Sequence, residues 1–308
     1  MGFTSADFEG FSGTVEFDAL LSKSTFYRIG GPAKVLATPK NFSDLQIIHR
    51  FIRKHQLRFF ILGWGSNLLF SDQGFDGVVI RMKHLFTEIE KIGENKLKLG
   101  ASVGGSTLLR QAQEKGYQGL SLLTGIPGSV GVMVAMNAGT HLAEMKDICL
   151  SVESIDLSRD ELTIQTHAVQ PSSFSYRRNH FLSASDLVIS CTVKYQAGEP
   201  SAIKKEIDEL YQRRKQSQPV DYPSCGSVFM NPKGGPDQKG MHAWQVIDQL
   251  GLRGHRIGNA QFAEKHSNFI INLGGALATD VKSLIDLAKA RAKNELNIEL
   301  HEEVKYIE

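Results

Sequence analysis

Residues 125–139 read Gly-Ile-Pro-Gly-Ser-Val-Gly-Val-Met-Val-Ala-Met-Asn-Ala-Gly. Four glycines and one proline in this stretch exclude a long regular helix. The stretch is uncharged and largely apolar, which is not the composition of a solvated linker. Glycine lets backbone N–H groups approach a flat or anionic ligand, because no Cβ stands in the way. We therefore interpret residues 125–139 as a segment that holds a phosphate-bearing cofactor.

A second glycine-bearing stretch, residues 61–70, reads Ile-Leu-Gly-Trp-Gly-Ser-Asn-Leu-Leu-Phe and begins in a strand predicted at residues 59–62. Glycines and small polar side chains at the end of a strand are a usual phosphate cradle. Leu68 stands where the dinucleotide-binding fingerprint needs its third glycine, which weakens a Rossmann-type interpretation. A single Gly-x-Gly is also a common turn, but two such stretches in one chain favour the cradle.

The composition is that of an ordinary globular enzyme. The chain has 308 residues, is 41% hydrophobic and 22% charged, and carries a formal net charge of +2, which is too small to indicate a nucleic-acid partner. No apolar run approaches the ~20 residues that span a bilayer, and the first residues lack the parts of a secretory signal. The three cysteines form no Cys-x-x-Cys pair. We therefore expect a cytoplasmic protein without a membrane partner.

Hydrophobic periodicity divides the chain into three blocks, residues 1–83, 84–216 and 217–308. The predicted helices lie at residues 43–55, with Ser43 as N-cap, and at 106–115, 201–216, 243–250 and 280–296. The predicted strands lie at residues 35–38, 59–62, 78–82, 96–101, 152–157, 162–166, 187–194 and 269–272, followed by a strand-like end at about 300–308. Residues 219–232 contain prolines and are predicted to be a loop.

The motifs exclude several kinds of chemistry. The histidines show no metal-ligand spacing, so we expect no metal, and no Gly-x-Ser-x-Gly elbow supports acyl transfer. Phosphate-binding stretches without a P-loop lysine favour an organic redox cofactor, a flavin or a nicotinamide. Cys225 has no histidine near it in sequence to act as a base, so we interpret it as structural.

Seven motifs, taken in order, resemble those of the UDP-N-acetylenolpyruvoylglucosamine reductase family, enzymes also called UDP-N-acetylmuramate dehydrogenases. They lie at residues 25–33, 62–69, 125–139, 175–177, 223–232, 266–272 and 303–307. The resemblance spans nearly the whole chain and implies an α+β protein, with a two-domain FAD-binding fold of vanillyl-alcohol-oxidase type and a C-terminal α+β substrate-binding domain. It implies that the three blocks are FAD-binding subdomain 1, FAD-binding subdomain 2 and the substrate-binding domain, whose terminal strand returns to the active site.

The resemblance also implies the reaction and the cofactors. NADPH would reduce FAD, and the enzyme would then reduce UDP-N-acetylglucosamine enolpyruvate to UDP-N-acetylmuramate for peptidoglycan synthesis, as a monomer. The residues that would hold FAD are Gly63, Gly65, Ser66, Asn67, Leu68, Gly125, Ile126, Gly128, Ser129, Val130 and Asn137. Residues 63–69 contain no histidine or cysteine, so we expect FAD to be bound without a covalent link.

Three catalytic residues are implied by the same resemblance. Arg177 would bind the substrate carboxylate, Ser227 would donate a proton, and Glu303 would lie by the carboxylate or support the protonation. A guanidinium suits the first role because it is permanently charged and can bind a carboxylate at two points. Asn231 would bind substrate. The sequence leaves open whether Arg177 or Arg178 points inward.

Two departures from the family pattern affect the binding residues. The interval between the arginine and serine motifs is short and resembles the branch that lacks a loop with a tyrosine over the substrate. Contacts to the substrate pyrophosphate are then expected from Arg213, Arg214 or Lys215. Val132 and Met133 stand where smaller residues are usual, so the approach to the flavin is expected to differ there.

Two rival functions stay open on the sequence alone. The first is a sugar or alcohol oxidase with the same FAD-binding fold, which would react quickly with oxygen. The second is a flavin-binding or nucleotide-sugar-binding regulator that has lost its chemistry. The presence of Arg177, Ser227 and Glu303 together argues against the regulator.

Overall fold

The structure, a computed structural model, describes residues 3–140, 143–232 and 241–308. The chain divides into two compact units. Unit 1 comprises Met1–Phe17, Val35–Trp64 and Gly77–Arg214, and unit 2 comprises Asp18–Lys34, Gly65–Asp76 and Lys215–Glu308. The three-domain boundaries drawn from periodicity differ from this division and stay a prediction. Within the described ranges, no helix has the length and apolar character needed to cross a lipid bilayer.

Helices and strands are mixed throughout the described residues, as the α+β prediction requires. The α-helices are α1 Phe42–His55, α2 Gly105–Lys115, α3 Val130–Ala135, α4 Pro200–Ser217, α5 Ala243–Gln249 and α6 Ala278–Leu296. The strands are β1 Thr14–Leu20, β2 Pro32–Thr38, β3 Phe59–Leu62, β4 Leu68–Phe70, β5 Phe75–Arg81, β6 Ile89–Lys91, β7 Lys96–Gly100, β8 Tyr117–Gln118, β9 Cys149–Asp156, β10 Ile164–Ala168, β11 Phe174–Ser175, β12 Arg178–Asn179, β13 Asp186–Lys194, β14 Gln196–Ala197, β15 Ser224–Ser227, β16 Arg256–Ile257, β17 Ala260–Phe262, β18 Phe269–Asn272 and β19 Lys305–Ile307.

The start of α1 differs from the sequence prediction, which placed the N-cap at Ser43. The cap is Asn41, whose side-chain oxygen accepts a hydrogen bond from the backbone N–H of Asp44 at 2.9 Å. The Asp44 carboxylate in turn accepts the N–H groups of Ser12 and Lys40, each at 2.8 Å. Ser43 therefore lies inside the first turn. The N-cap prediction was wrong by two residues, because the side chain of Asn41, and not that of Ser43, accepts a backbone N–H at the start of the helix.

Unit 1 is built around two large sheets. The first has the strand order β1-β2-β5-β3 and is covered by α1, and the second has the order β10-β9-β13-β7-β6 with antiparallel neighbours. The apolar face of α1, through Leu45, Ile48 and Ile52, shares one buried cluster with Val78 and Ile80 of β5. Burying each such side chain stabilises the fold by roughly 1.5–3 kcal/mol. Gly63 follows β3 of the first sheet, and Gly104 and Gly105 come after β7 of the second.

Unit 2 combines the C-terminal residues with two short stretches from earlier in the chain. Its sheet has the order β15-β18-β17-β16, and β19 pairs in parallel with β4, with Lys305 opposite Leu68. The carboxylate of Asp72 accepts the first backbone N–H groups of α6 at 2.7 and 3.0 Å. An acceptor from a distant part of the chain thus caps a helix whose own N-cap residue, Leu277, has no side-chain hydrogen bond.

The stretch predicted as a loop at residues 219–232 contains the strand β15. Ser224 pairs with Ile271 and Ser227 with Phe269, and a bulge separates these two pairs. Gly226 lies in the bulge with φ of +83°, a conformation that favours glycine. The all-loop prediction was therefore wrong here, because the bulge breaks the alternation by which a strand is recognised.

Candidate functional site

The two glycine stretches that the sequence predicts to form one cradle meet within unit 1. Gly63 follows β3, and a Cβ built on it would lie 3.3 Å from the Ser129 hydroxyl and well under 3.0 Å from Cγ2 of Val132. The loop after β3 therefore packs against the start of α3 at a distance that only glycine permits. Val132 occupies the space that a side chain at residue 63 would need.

A third stretch, residues 101–105, completes this part of the cradle. Gly104 forms a β-bridge with Ser129, and the Gly105 N–H donates to the Gly128 carbonyl at 3.0 Å. The Val130 N–H donates to the Val103 carbonyl at 2.9 Å. Sequence analysis missed this stretch, although its glycine pair soon after the strand predicted at residues 96–101 is similar to the signal that marked residues 61–70.

Two buried hydroxyls beside these loops have no hydrogen-bond partner among the residues that the structure describes. They are Ser102 Oγ, two residues after the end of β7, and Thr124 Oγ1, one residue before Gly125. A buried hydroxyl without a partner costs free energy, and native proteins satisfy nearly all of them. A bound polar ligand could form hydrogen bonds with these two hydroxyls, which lie next to the glycine-bearing loops. The residues present therefore fit a phosphate-bearing cofactor such as FAD.

Arg214 of α4 packs over the start of the glycine segment. A Cβ on Gly125, whose φ is +81°, would lie 2.7 Å from Cδ and 2.8 Å from Nη1 of Arg214. Burial lowers the pKa of this guanidinium from its ordinary value, although an arginine stays charged at neutral pH. Unit 1 thus brings a partly buried cation to the predicted cofactor segment. Arg213, in contrast, is exposed.

Four of the predicted cofactor residues, Gly65, Ser66, Asn67 and Leu68, belong to unit 2. Ser66 is buried, and Gly65, with φ of +67°, accepts a hydrogen bond from the Phe26 N–H at 3.0 Å. The side chain of Asn67 donates to the Glu303 carbonyl at 2.9 Å, and Leu68 begins β4. Asn67 therefore holds the terminal segment, a role that its motif did not indicate.

Asn137, predicted to hold FAD, is fully buried and makes three hydrogen bonds within unit 1. Its Nδ2 donates to Glu144 Oε2 at 3.0 Å and to the Ser175 carbonyl at 2.9 Å. Its Oδ1 accepts the Lys146 N–H at 3.0 Å. Asn137 therefore joins the end of the glycine segment to the segment that carries the arginine motif.

Arg177 lies in the two-residue turn between β11 and β12, and its side chain is 19% exposed, whereas its neighbour Arg178 is exposed. Its Nη2 donates to the Gly139 carbonyl at 3.1 Å, and its guanidinium carbon lies 5.0 Å from the centre of the Tyr176 ring. Its backbone has φ of +58°, which is uncommon for a residue with a side chain. Of the two arginines, Arg177 is therefore the enclosed one.

Ser227 and Glu303 lie on adjacent segments of unit 2. Ser227 ends β15, and the Glu303 N–H donates to the carbonyl of the next residue, Val228, at 2.7 Å. The neighbouring acid Glu302 is used elsewhere, in an ion pair with Lys289 at 2.8 Å. The structure thus places the backbone segments that carry the predicted proton donor and the predicted acid next to each other and gives Glu302 a separate partner.

Cys225 lies two residues before Ser227 and is buried in the core of unit 2. Burial, with a smaller contribution from the charge of Glu303, raises the pKa of its thiol to about 12. The thiol is therefore protonated at neutral pH and a poor nucleophile. This agrees with its interpretation as structural.

The other predicted substrate residues have partners inside unit 2. The side-chain oxygen of Asn231 accepts the Ala243 N–H at 3.0 Å, which caps α5. Lys215 is exposed, and its carbonyl accepts a hydrogen bond from the Lys265 amine at 3.1 Å. Among the described residues, no group of histidine, cysteine and acidic side chains could hold a metal ion.

Comparison with known proteins assigns a family to this arrangement. Residues 218–307 match the family model described as UDP-N-acetylenolpyruvoylglucosamine reductase, C-terminal domain, and residues 33–163 match one described as FAD binding domain. The second match includes Gly63 and the whole segment 125–139. It therefore confirms FAD as the predicted cofactor and the FAD-binding fold.

Individual relatives match over most of their length. The UDP-N-acetylenolpyruvoylglucosamine reductase of Heliobacterium modesticaldum is 37% identical over 287 residues, which are 93% of this chain and 88% of the relative. That of a Nostoc species is 38% identical over 296 residues, or 95% and 86%. The crystal structure of the UDP-N-acetylenolpyruvylglucosamine reductase from Thermus caldophilus superposes with a TM-score of 0.78 at 33% identity and covers 96% of this chain and 100% of that one.

Proposed function

Because the chain belongs to the UDP-N-acetylenolpyruvoylglucosamine reductase family, we propose that it reduces UDP-N-acetylglucosamine enolpyruvate to UDP-N-acetylmuramate. The chain is a flavin-dependent oxidoreductase, and NADPH is the proposed reductant. The observation that carries the proposal is the match of nearly the whole chain to reductases of this name at 37% identity. The product is a peptidoglycan precursor, so we place the enzyme in cell-wall synthesis in the cytoplasm, acting as a monomer.

The cradle of unit 1 would hold the cofactor in this reaction. Bound FAD supplies hydride transfer, which protein side chains do not perform. The loop at Gly63 and the start of α3 at Ser129 would line its site, and the hydroxyls of Ser102 and Thr124 would form hydrogen bonds with it. Arg214 over Gly125 would supply positive charge to an anionic group of cofactor or substrate.

Arg177 would bind the substrate carboxylate. Reduction of the vinyl group adds negative charge towards this carboxylate, and a fixed cation stabilises charge that develops in the transition state. The enclosure of Arg177 by the Gly139 carbonyl and the Tyr176 ring supports the role, because a guanidinium held in one orientation loses less entropy on binding.

Ser227 would donate the proton that completes the reduction. A serine hydroxyl is a weak acid, so a neighbouring group must support the proton transfer. Glu303, on the adjacent segment, is the ionisable residue that we propose for this support. Cys225 is excluded as a thiolate base by its raised pKa.

A product assay tests the proposed function. The purified protein is incubated with NADPH and the enolpyruvyl nucleotide sugar, and both nucleotides are followed by chromatography and mass spectrometry. We expect NADPH to be consumed beyond the amount of bound flavin only when substrate is present, with a product heavier than the substrate by two hydrogen atoms. Consumption of NADPH that depends on oxygen and leaves the nucleotide sugar unchanged would contradict the proposal and favour an oxidase.

A further inference from the structure

Among the described residues of unit 1, the carboxylate of Glu144 contacts three polar side chains. Its Oε2 accepts a hydrogen bond from Asn137 at 3.0 Å and pairs with the Lys146 amine at 2.7 Å. Its Oε1 lies 3.8 Å from Nη1 of Arg177. The Glu144 side chain is 14% exposed, so water screens these charges less than it would at an open surface. Glu144 is therefore placed to influence where the guanidinium of Arg177 lies.

The backbone around Glu144 admits this arrangement only because residue 139 is glycine. Gly139 and Glu144 form an isolated β-bridge, and a Cβ on Gly139 would lie 2.6 Å from Cα and 2.7 Å from Cγ of Glu144. The carbonyl of the same glycine accepts the Nη2 hydrogen bond of Arg177. Gly139 thus sets the position of Glu144 and contacts the guanidinium directly.

The charges of the cluster leave Arg177 able to bind an anion. Lys146 makes the short contact with Glu144, and that hydrogen bond raises the pKa of the lysine. Arg177 makes the longer contact, beyond hydrogen-bond distance, so the carboxylate attracts the guanidinium without neutralising it completely. An acid that orients an arginine in this way need not compete strongly with an incoming carboxylate.

We propose that Glu144 is a positioning residue, which acts through Arg177 by holding its guanidinium in the orientation that receives the substrate carboxylate. The proposal rests on the proposed function, because it assigns the carboxylate of the enolpyruvyl group to Arg177. Arg177 has a left-handed backbone in a two-residue turn, a conformation that persists only where surrounding contacts determine it. The Glu144 carboxylate and the Gly139 carbonyl provide such contacts.

The test is Glu144→Gln, which keeps the length of the side chain and removes its charge. Anaerobic stopped-flow absorbance measures flavin reduction by NADPH and, separately, reoxidation by the enolpyruvyl substrate. We expect reduction to change by less than about 2-fold and reoxidation to slow by about 10- to 100-fold, the size of effect seen when a binding group is misplaced. Glu144→Asp, which restores the charge, should recover part of the loss.

The matched control is Glu153→Gln. Glu153 belongs to the same unit, is 26% exposed, and also contacts a lysine, Lys98 at 2.8 Å, and a hydroxyl, Ser190 at 2.7 Å. Removing the charge of Glu153 should lower stability about as much as Glu144→Gln does and leave the rates of both half-reactions unchanged. Equal half-reaction rates in Glu144→Gln and Glu153→Gln would overturn the inference, even where both proteins are less stable than the wild type.

A double-mutant cycle with Arg177→Lys separates positioning from a general structural effect. If Glu144 acts through Arg177, adding Glu144→Gln to Arg177→Lys should slow reoxidation little further, whereas independent effects would multiply. Multiplied effects would refute the inference. If Glu144→Gln does not yield a folded flavoprotein, Glu144→Asp enters the same cycle with the same two outcomes. A wild-type protein that substrate cannot reoxidise would instead refute the proposed function.

Discussion

The contact between the two glycine stretches predicts a specific effect of adding one methyl group. In Gly63→Ala, the new Cβ would lie well under 3.0 Å from Cγ2 of Val132, a separation that real Cβ atoms do not show. The φ of Gly63 lies outside the left-handed region, so alanine is not strained by its backbone, and the clash alone is responsible. Overpacking of this kind costs about 1–3 kcal/mol.

The measurement is thermal unfolding of the FAD-free protein, since bound FAD would add its own stabilisation to any difference. A loss of 1–3 kcal/mol lowers the unfolding midpoint by about 2–4 °C per kcal/mol in a protein of this size class. Retention of FAD during gel filtration is measured on the same variants. We expect weaker retention in Gly63→Ala, because the predicted cradle must open to relieve the clash.

The control is Val132→Ala, alone and combined with Gly63→Ala. Val132→Ala removes both γ-methyl groups, including the one that causes the clash, so the double variant should recover about 1–2 kcal/mol relative to the sum of the two single losses. Additive losses would refute the reasoning, because they would show that residues 63 and 132 do not press on each other.

Three further predictions concern single residues. Ser227→Ala should leave flavin reduction by NADPH intact and slow reoxidation by substrate by about 10²–10⁴-fold in stopped-flow absorbance, while Ser224→Ala on the same strand changes neither; equal loss in both half-reactions would make Ser227 structural. Asp72→Ala should cost about 0.5–2 kcal/mol in urea unfolding, because the start of α6 loses its acceptor, and an unchanged midpoint would contradict that cap. Hydrogen bonds, first from the Ser158 hydroxyl, lower the pKa of Asp156 to about 2, so its contribution to stability is present above pH ~4 and disappears as pH falls towards 2. The difference in unfolding free energy between Asp156→Asn and wild type should shrink over that range, and a difference independent of pH would contradict the assignment.

Much of the fold was predictable because periodicity and glycine carry local information. Every predicted helix is present, and α2 ends as expected at Gly116, which has a left-handed backbone. The prediction that residues 125–139 exclude a long helix is confirmed, since they contain only the six-residue α3. The family, the FAD-binding fold and FAD itself were also predicted, from motifs whose order is more specific than any one of them.

What could not be predicted depends on contacts between distant parts of the chain. No local pattern shows that Asp72 caps α6 or that β19 pairs with β4, because those partners lie more than 200 positions apart. Glu144 gave no sequence signal, since an acidic residue before a short helical turn is usually solvent-exposed. Its contacts to Asn137 and Arg177 are visible only in three dimensions. The roles assigned to Arg177, Ser227 and Glu303 stay predictions until they are tested by kinetics.

The central claim is that this chain passes reducing equivalents from NADPH through FAD to the enolpyruvyl nucleotide sugar. The measurement that tests it most directly is the flavin absorbance of the purified protein under anaerobic conditions, first with NADPH and then with UDP-N-acetylglucosamine enolpyruvate. We predict that NADPH bleaches the flavin and that the substrate restores its colour. Bleaching that only oxygen reverses would contradict the claim and indicate an oxidase, and a protein that binds no flavin would contradict it altogether.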